Sequence, residues 1–157
     1  MDMLKGKVAV VTGGTRGIGY SIVETFLRNG ATVVLLGSRQ ETVDKALASL
    51  KEADPAWPVE GFAPKLDDYN AMRELFAQLH EKYGRIDILV NNAGITKDGL
   101  MMRMSEGQWD AVLNVNLKSA FNFIHACTPV MMKQRAGSII NMSSVVGVHG
   151  NAGQANY

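Results

Sequence analysis

Eight residues, Thr12-Gly-Gly-Thr-Arg-Gly-Ile-Gly19, follow directly on a short apolar run and lead into a helical pattern. Glycines in that setting let bare backbone approach a phosphate. Gly13 permits a tight turn, Gly17 leaves room for a pyrophosphate, and Gly19 lets the helix pack close to the strand. The helix N-terminus adds free N–H groups and the positive end of its dipole. A glycine pattern alone is equally an ordinary turn, and it is the strand–turn–helix context that points to a dinucleotide, with Thr15, Arg16 and Ile18 of the turn among its contacts. An NAD site places an acid about 20 residues further on, against the ribose 2′-hydroxyl, whereas NADP needs a cation there for its 2′-phosphate. Here the second apolar run ends in Gly37-Ser38-Arg39 with no acid at those three positions. Arg16 and Arg39 can offer planar donors to a phosphate, so NADP(H) is preferred, with Ser38 and Arg39 as contacts. Glu41 lies close enough to keep NAD(H) as the alternative.

A second group of residues could do chemistry on an oxygen. Ser144 and Tyr157 stand thirteen positions apart, behind a strand-like run and a loop rich in glycine and asparagine. A hydride that reaches a ketone carbon leaves an alkoxide-like oxygen, which needs a proton donor and a hydrogen-bond donor aimed at it. Tyrosine and serine supply both. A free phenol has a pKa of about 10, so it works near neutrality only beside a positive charge. Asn91-Asn-Ala-Gly94 closes another apolar run and Asn116 stands in Asn114-Val-Asn-Leu117. Taken singly, each residue has a plainer reading: a turn for 91–94, a mid-helix polar residue for Asn116, a strand-end cap for Ser144 and a loop aromatic for Tyr157. Their order behind the glycine turn favours catalysis by Tyr157, Ser144 and Asn116.

The elements that must position these residues are legible as an alternation. Apolar runs at 7–12, 32–36, 59–63, 86–90 and 137–141 read as five strands covered on both faces. Between them lie helical patterns marked by Ile22, Phe26 and Leu27, by Val43, Leu47 and Leu50, and by Met72, Leu75, Phe76 and Leu79. Asp67 or Asp68 is the expected cap of the third. A longer helix is expected from about Ser105 to Gln134, bent near Pro129. This pattern specifies an α/β fold, a doubly wound parallel sheet with helices on both faces, in one domain over 1–157.

Composition narrows the function classes. At 157 residues, 46% hydrophobic and 20% charged, the chain can close a single core. A net charge of +1 with scattered basic residues gives no footprint for nucleic acid or an anionic membrane. No signal-peptide pattern opens the sequence, and no apolar stretch nears the ~20 residues of a bilayer span. The one cysteine, Cys127, fits a reducing cytoplasm, which is the expected location. His80 and His125 lack ligand partners at metal spacing, so no metal site is expected. His149 is read as structural, Cys127 as a small buried hydrophobe, and Met101, Met102 and Met104 as core fillers near a helix start.

The Gly-x-x-x-Gly-x-Gly spacing of the turn, Asn91-Asn-Ala-Gly94 after the fourth strand, and Ser144 with Tyr157 together resemble the short-chain dehydrogenases/reductases. The resemblance covers the whole chain. It is strongest, at 91–104 and 144–157, to the branch that reduces 3-oxoacyl groups on acyl-carrier protein. It implies a Rossmann-type fold, and it implies that Asn92, Ala93, Gly94 and Tyr157 touch the cofactor while Asn116 holds a water chain toward a lysine four positions past the tyrosine. Final strands and helices of the family have no counterpart in 1–157, so the sequence is expected to be part of a longer protein that assembles as a homotetramer. Two features depart from the pattern or widen it. Lys65, followed by Leu66, stands where the family commonly has an acidic or amide residue near the adenine, and Leu66 is expected as a cofactor contact. The stretch Gly61-Phe-Ala-Pro64 also resembles bile-acid hydroxysteroid dehydrogenases of the same family. Arg135 matches a basic position that touches the acidic carrier protein. The implied substrate is a ketone, carrier-bound or free. The readings to be separated are therefore a 3-oxoacyl reductase, a hydroxysteroid or other secondary-alcohol dehydrogenase, and a non-catalytic dinucleotide-binding module.

Overall fold

Val8-Ala-Val-Val-Thr12 presents apolar side chains alternately to both sides, and a strand of that kind is stable only where both faces are covered. In the computed structural model, which describes residues 2–157, it is the central strand β1 (Val8–Thr12), with all five residues buried. The remaining elements follow in the order α1 (Gly17–Arg28), β2 (Thr32–Leu36), α2 (Gln40–Ala53), β3 (Val59–Phe62), α3 (Tyr69–Tyr83) and β4 (Ile88–Asn91). Then come α4 (Glu106–Leu113), α5 (Ser119–Gln134), β5 (Ser138–Asn141) and a single turn, α6 (Val146–His149). The sheet order is β3-β2-β1-β4-β5 and every pairing is parallel.

The pleat sorts the core into two layers. Ala9, Val11, Val33 and Leu35 face Val23 and Leu27 of α1 and Val43, Ala46 and Leu50 of α2. Val10, Val34, Leu36 and Leu89 face Met72, Leu75, Phe76 and Leu79 of α3 and Phe123, Cys127 and Met131 of α5. Each fully buried Leu or Phe contributes about 1.5–3 kcal/mol of transfer free energy. The Phe76 and Phe123 rings meet edge to face at 5.7 Å and join α3 to α5. In α1 the deepest residue is Val23, which the apolar pattern at Ile22 and Phe26 does not single out, since both of those are only partly buried.

The chain winds outward from β1 through β2 to β3, then crosses back to β4 on the other side of β1. The carboxyl ends of β1 and β4 therefore diverge into a crevice, the place where open α/β sheets take their ligands.

Several sequence expectations are refined or corrected. Asp68 is the cap of α3, its carboxylate accepting from Ala71 N at 3.0 Å. The expected long helix has its irregularity elsewhere than at the proline. Asn114–Lys118 is a π-helical segment between α4 and α5, and α5 runs through Pro129 as one helix. One extra residue per turn at 114–118 re-aims a side chain, which is the usual reason for a π-bulge. β5 is not covered on both faces: all four of its residues are exposed at the sheet edge next to β4. Met101 and Met102 do not fill the core. They sit on a 3₁₀ turn, Met101–Arg103, and are 66% and 88% exposed. The loop between Ser144 and Tyr157 contains α6, and His149 ends it in an exposed position.

Candidate active site

Thr12, the last residue of β1, ties the two strand ends of the crevice together. Its Oγ1 accepts from Asn92 N at 3.0 Å and from Ala93 N at 2.9 Å. Asn92 returns the contact, its Nδ2 donating to Thr12 O at 3.1 Å and Gly13 O at 3.2 Å. The glycine turn and the segment 91–94 are thus one unit held by four hydrogen bonds. Within it the glycines are sterically required. Gly13 has φ 64°, and a Cβ on Gly19 would lie 2.0 Å from Gly13 O and 2.5 Å from Asn92 Nδ2. Gly19 thus brings α1 against the turn itself. Gly14 lets the turn lie between β2 and α1, since a Cβ there would come within 2.9 Å of Leu35 Cβ and 3.2 Å of Val23 Cγ2. Gly17, with φ 55°, faces open space. The first turn of α1 carries no acid and no side-chain cap, so its N–H groups are open to an anion.

At the end of β2, Gly37 is buried and Ser38 and Arg39 are exposed. A Cβ on Gly37 would lie 2.6 Å from Thr15 Cγ2, so Gly37 is what lets Thr15 sit against the second strand. Glu41 is on the first turn of α2, with its carboxylate 2.7 Å from Lys45 Nζ. Neither Arg16 nor Arg39 is in an ion pair among the described residues. Leu66 is held through its backbone, its carbonyl accepting from Asn122 Nδ2 at 3.1 Å, while Lys65 points outward with Nζ 4.0 Å from Asp67.

A cleft of about 1500 Å³ opens beside this unit. Arg16, Ile18, Asn116, Ser144 and Tyr157 all line it, together with Asn92, Ala93 and Gly94. Asn116 comes from the π segment and grips the loop after β4, accepting from Ile95 N at 2.8 Å and donating to Ile95 O at 3.0 Å. Ser144 Oγ accepts from Val146 N at 3.2 Å, which leaves the hydroxyl proton to donate into the cleft. The Tyr157 side chain is 41% exposed, and no protein group bonds its hydroxyl among the described residues. From the glycine turn only Arg16 and Ile18 line the cleft; Gly13, Thr15, Gly17 and Gly19, like Ser38, Arg39 and Leu66, lie outside its lining. In chemical terms the cleft offers a hydroxyl donor, a phenol, a carboxamide and the Arg16 guanidinium around one space. Among the described residues there is no group of three or more His, Cys, Asp or Glu side chains able to hold a metal ion, and no helix is long and apolar enough to cross a membrane.

Sequence reasoning missed a set of buried asparagines. Asn91 Nδ2 donates to Asn141 Oδ1 at 2.8 Å across paired strands, and Asn122 and Asn156 are buried with long-range partners. In each of the three, the amide oxygen is buried without a partner in Asn91, Asn122 and Asn156 alike. Only the in-register pairing of the two strand-end asparagines, Asn91 with Asn141, had a sequence signal that could have shown it.

A parallel sheet with a glycine turn on β1, Asn-Asn-Ala-Gly on β4 and a serine and tyrosine facing one cleft is the arrangement of a doubly wound, Rossmann-type fold. The chain belongs to the short chain dehydrogenase family, whose sequence profile matches residues 7–157. It is 47% identical over 154 residues to the 3-oxoacyl-(acyl-carrier-protein) reductase FabG of Thermotoga maritima, covering 98% of this chain and 62% of that one. It is 43% identical over 155 residues to a 3alpha-hydroxysteroid dehydrogenase of Mediterraneibacter gnavus, covering 99% of this chain and again 62% of the other. A metagenomic short-chain oxidoreductase solved in complex with NADP superposes with a TM-score of 0.91 at 35% identity, over 98% of this chain and 69% of that one. The chain thus spans about three fifths of the length of these curated relatives.

Proposed function

We propose that this chain forms the cofactor-binding and reacting part of an NADPH-dependent reductase that converts the ketone of a 3-oxoacyl thioester, carried on acyl-carrier protein, into a secondary alcohol. The observation that carries the reading is that Asn116, Ser144 and Tyr157 line one cleft at the crevice between β1 and β4. The glycine turn and the open first turn of α1 hold the pyrophosphate, Asn92, Ala93 and Gly94 take the ribose side, and Arg16, Ser38 and Arg39 take the 2′-phosphate. Support for NADP(H) over NAD(H) comes from the absence of an acid at 37–39 and from the engagement of Glu41 with Lys45. The NADP complex of the structural relative points the same way.

When bound, NADPH supplies the hydride that adds to the ketone carbon. Ser144 donates a hydrogen bond to the carbonyl oxygen and orients it. Tyr157 gives its phenolic proton to that oxygen as the negative charge develops, so the C=O becomes C–OH and a phenolate is left to be reprotonated. Asn116 holds the β4 loop through Ile95 and supports the proton relay. The family resemblance implies that the cation that would make the phenol competent is a lysine four positions past the tyrosine, outside residues 1–157. Reading the gene through that position tests this directly, and any other residue there removes the catalytic reading in favour of a dinucleotide-binding module. In this reading the whole protein is a cytoplasmic homotetramer, and the exposed Ile139, Ile140 and Phe121 are a surface that further chain or another copy covers.

A second substrate class has a specific observation in its favour: the hydroxysteroid dehydrogenase relative is nearly as similar as the reductase. The deciding experiment is NADPH oxidation by the whole gene product with an acetoacetyl thioester beside a 3-ketosteroid, repeated with NADH. Turnover of the thioester with NADPH is expected. Preference for the steroid would reassign the substrate, and turnover with NADH alone would remove the phosphate role of Arg16 and Arg39.

A further inference from the structure

Tyr157 lines the cleft with a hydroxyl that no side chain or backbone group bonds among the described residues, so its position is set through the backbone. The residue before it is buried. Asn156 is 4% exposed, and its Nδ2 donates to Lys97 O at 2.9 Å and to Gln108 O at 3.1 Å. Both of its N–H donors are therefore used on backbone carbonyls, one in the loop after β4 and one in α4. Its Oδ1 is buried with no donor. A leucine of similar volume would fill the space without that unsatisfied oxygen but could bind neither carbonyl. Around this peg the segment 153–157 lies along 97–99. Gly99 N donates to Gly153 O at 2.8 Å, Gln154 Nε2 donates to Asp98 Oδ1 at 3.1 Å, and Tyr157 N donates to Gln154 O at 3.1 Å. Asn116 holds the same loop two residues earlier, through both backbone groups of Ile95.

We propose that Asn156 is a positioning residue: with Asn116 it pegs the loop 95–99 from both sides, so that this loop sets Tyr157 in register with Asn116 across the cleft. The inference rests on the reading of Tyr157 as the proton donor. A displacement of the phenol by a fraction of a bond length misaligns proton transfer, and losses of about 10²-fold follow from ~1 Å errors of that kind. Asn156 borders the cleft, but it is buried and both of its N–H donors are held by backbone carbonyls, so its removal should act on the rate and leave NADPH binding alone.

The test uses the whole gene product with Asn156→Ala and Asn156→Ser, the serine keeping one donor. The expected result is a kcat lowered by ~10–100-fold in Asn156→Ala and by less in Asn156→Ser, with the dissociation constant for NADPH unchanged within about twofold. In a Tyr157→Phe background Asn156→Ala should cause no further loss, because residues that act through one group are not additive. A readout independent of turnover is the ring-carbon resonance of Tyr157 in protein labelled with ¹³C at tyrosine Cζ, identified by its disappearance in Tyr157→Phe. It should shift or broaden in both Asn156 variants. A wild-type kcat and an unmoved resonance in a folded variant overturn the proposal, as does an equal loss of rate in the Tyr157→Phe background. Should Asn156→Ala not fold, Asn156→Ser decides by the same readouts. If the unaltered protein reduces no ketone, the functional reading fails and the resonance alone decides the positioning role.

Discussion

At the scale of single residues, Tyr157 and the arginine pair are proposed to play different parts, the phenol and Arg16 in the cleft and Arg39 outside its lining. In the proposed mechanism the phenol exchanges a proton and so must stay accessible, which its exposure satisfies. Replacing Tyr157 by Phe removes the proton donor and leaves the ring, so kcat should drop by ~10²–10⁴-fold while NADPH affinity, measured by fluorescence titration, changes little. Loss of binding as well would mean that the ring itself holds the cofactor. The guanidinium groups of Arg16 and Arg39 are proposed to serve binding instead. Charge-assisted hydrogen bonds are worth about 1.5–3 kcal/mol, so Arg39→Ala should weaken NADPH by ~10–100-fold and leave NADH within about twofold. Equal weakening of both cofactors would show that Arg39 does not read the 2′-phosphate.

At the scale of elements, the end of the sheet opposite the cleft is held by one carboxylate. Asp87 accepts from Val8 N at 2.9 Å and from Arg85 through both oxygens, at 2.8 and 2.6 Å, with Lys7 Nζ at 3.8 Å. Burial pushes this carboxyl upward, but the Arg85 guanidinium, the Val8 N–H and Lys7 outweigh it and hold the group below its ordinary value of 3.8. A carboxyl whose folded value is depressed stabilises the fold above its unfolded pKa, and that contribution disappears as pH falls through the folded value. Urea denaturation midpoints should therefore fall below pH 4 more steeply in the natural protein than in Asp87→Asn. At pH 7 the variant should be less stable by about 1–3 kcal/mol, because Val8 N and Arg85 lose a charged acceptor. Parallel pH curves for the two proteins would show that Asp87 adds nothing through its charge. The clamp fixes where β1 and β4 start, and so the register in which their far ends bring Thr12 against Asn92 and Ala93.

At the scale of the whole molecule, the two cores on either side of the sheet differ in what covers them, and Cys127 reports on one. Its thiol is fully buried between α5 and the sheet, and desolvation pushes it up to about 11. The thiolate is the reactive form, so a disulfide reagent should modify Cys127 in the native protein only at the rate at which α5 opens. Labelling should be slow in buffer and accelerate with urea in step with loss of the helical signal. Rapid native labelling would mean that α5 detaches locally from the sheet. The contrast is β5, whose Ile139 and Ile140 are already exposed. A parallel edge of this kind is a surface that another element or another copy can extend.

What the sequence determined by itself is whatever depends on neighbours along the chain. Continuous apolar runs, helical spacing and the glycine turn are local signals, and they were enough for five strands, the doubly wound class and the family resemblance. The exposed methionines at 101 and 102 and the uncovered β5 were misread because the same apolar residue types serve core and surface alike, and only packing distinguishes them. Tertiary structure alone decided that Asn116 would fall on a π segment facing Ile95, that Asn122 would hold Leu66, and that Asn156 would hold Lys97 and Gln108. These contacts join residues 21, 56, 59 and 48 positions apart. An asparagine carries no local mark of such a role, because the carbonyl it binds is brought to it by strand order and helix packing. The residue type sets which bonds a carboxamide can make, and the fold sets which backbone is there to receive them.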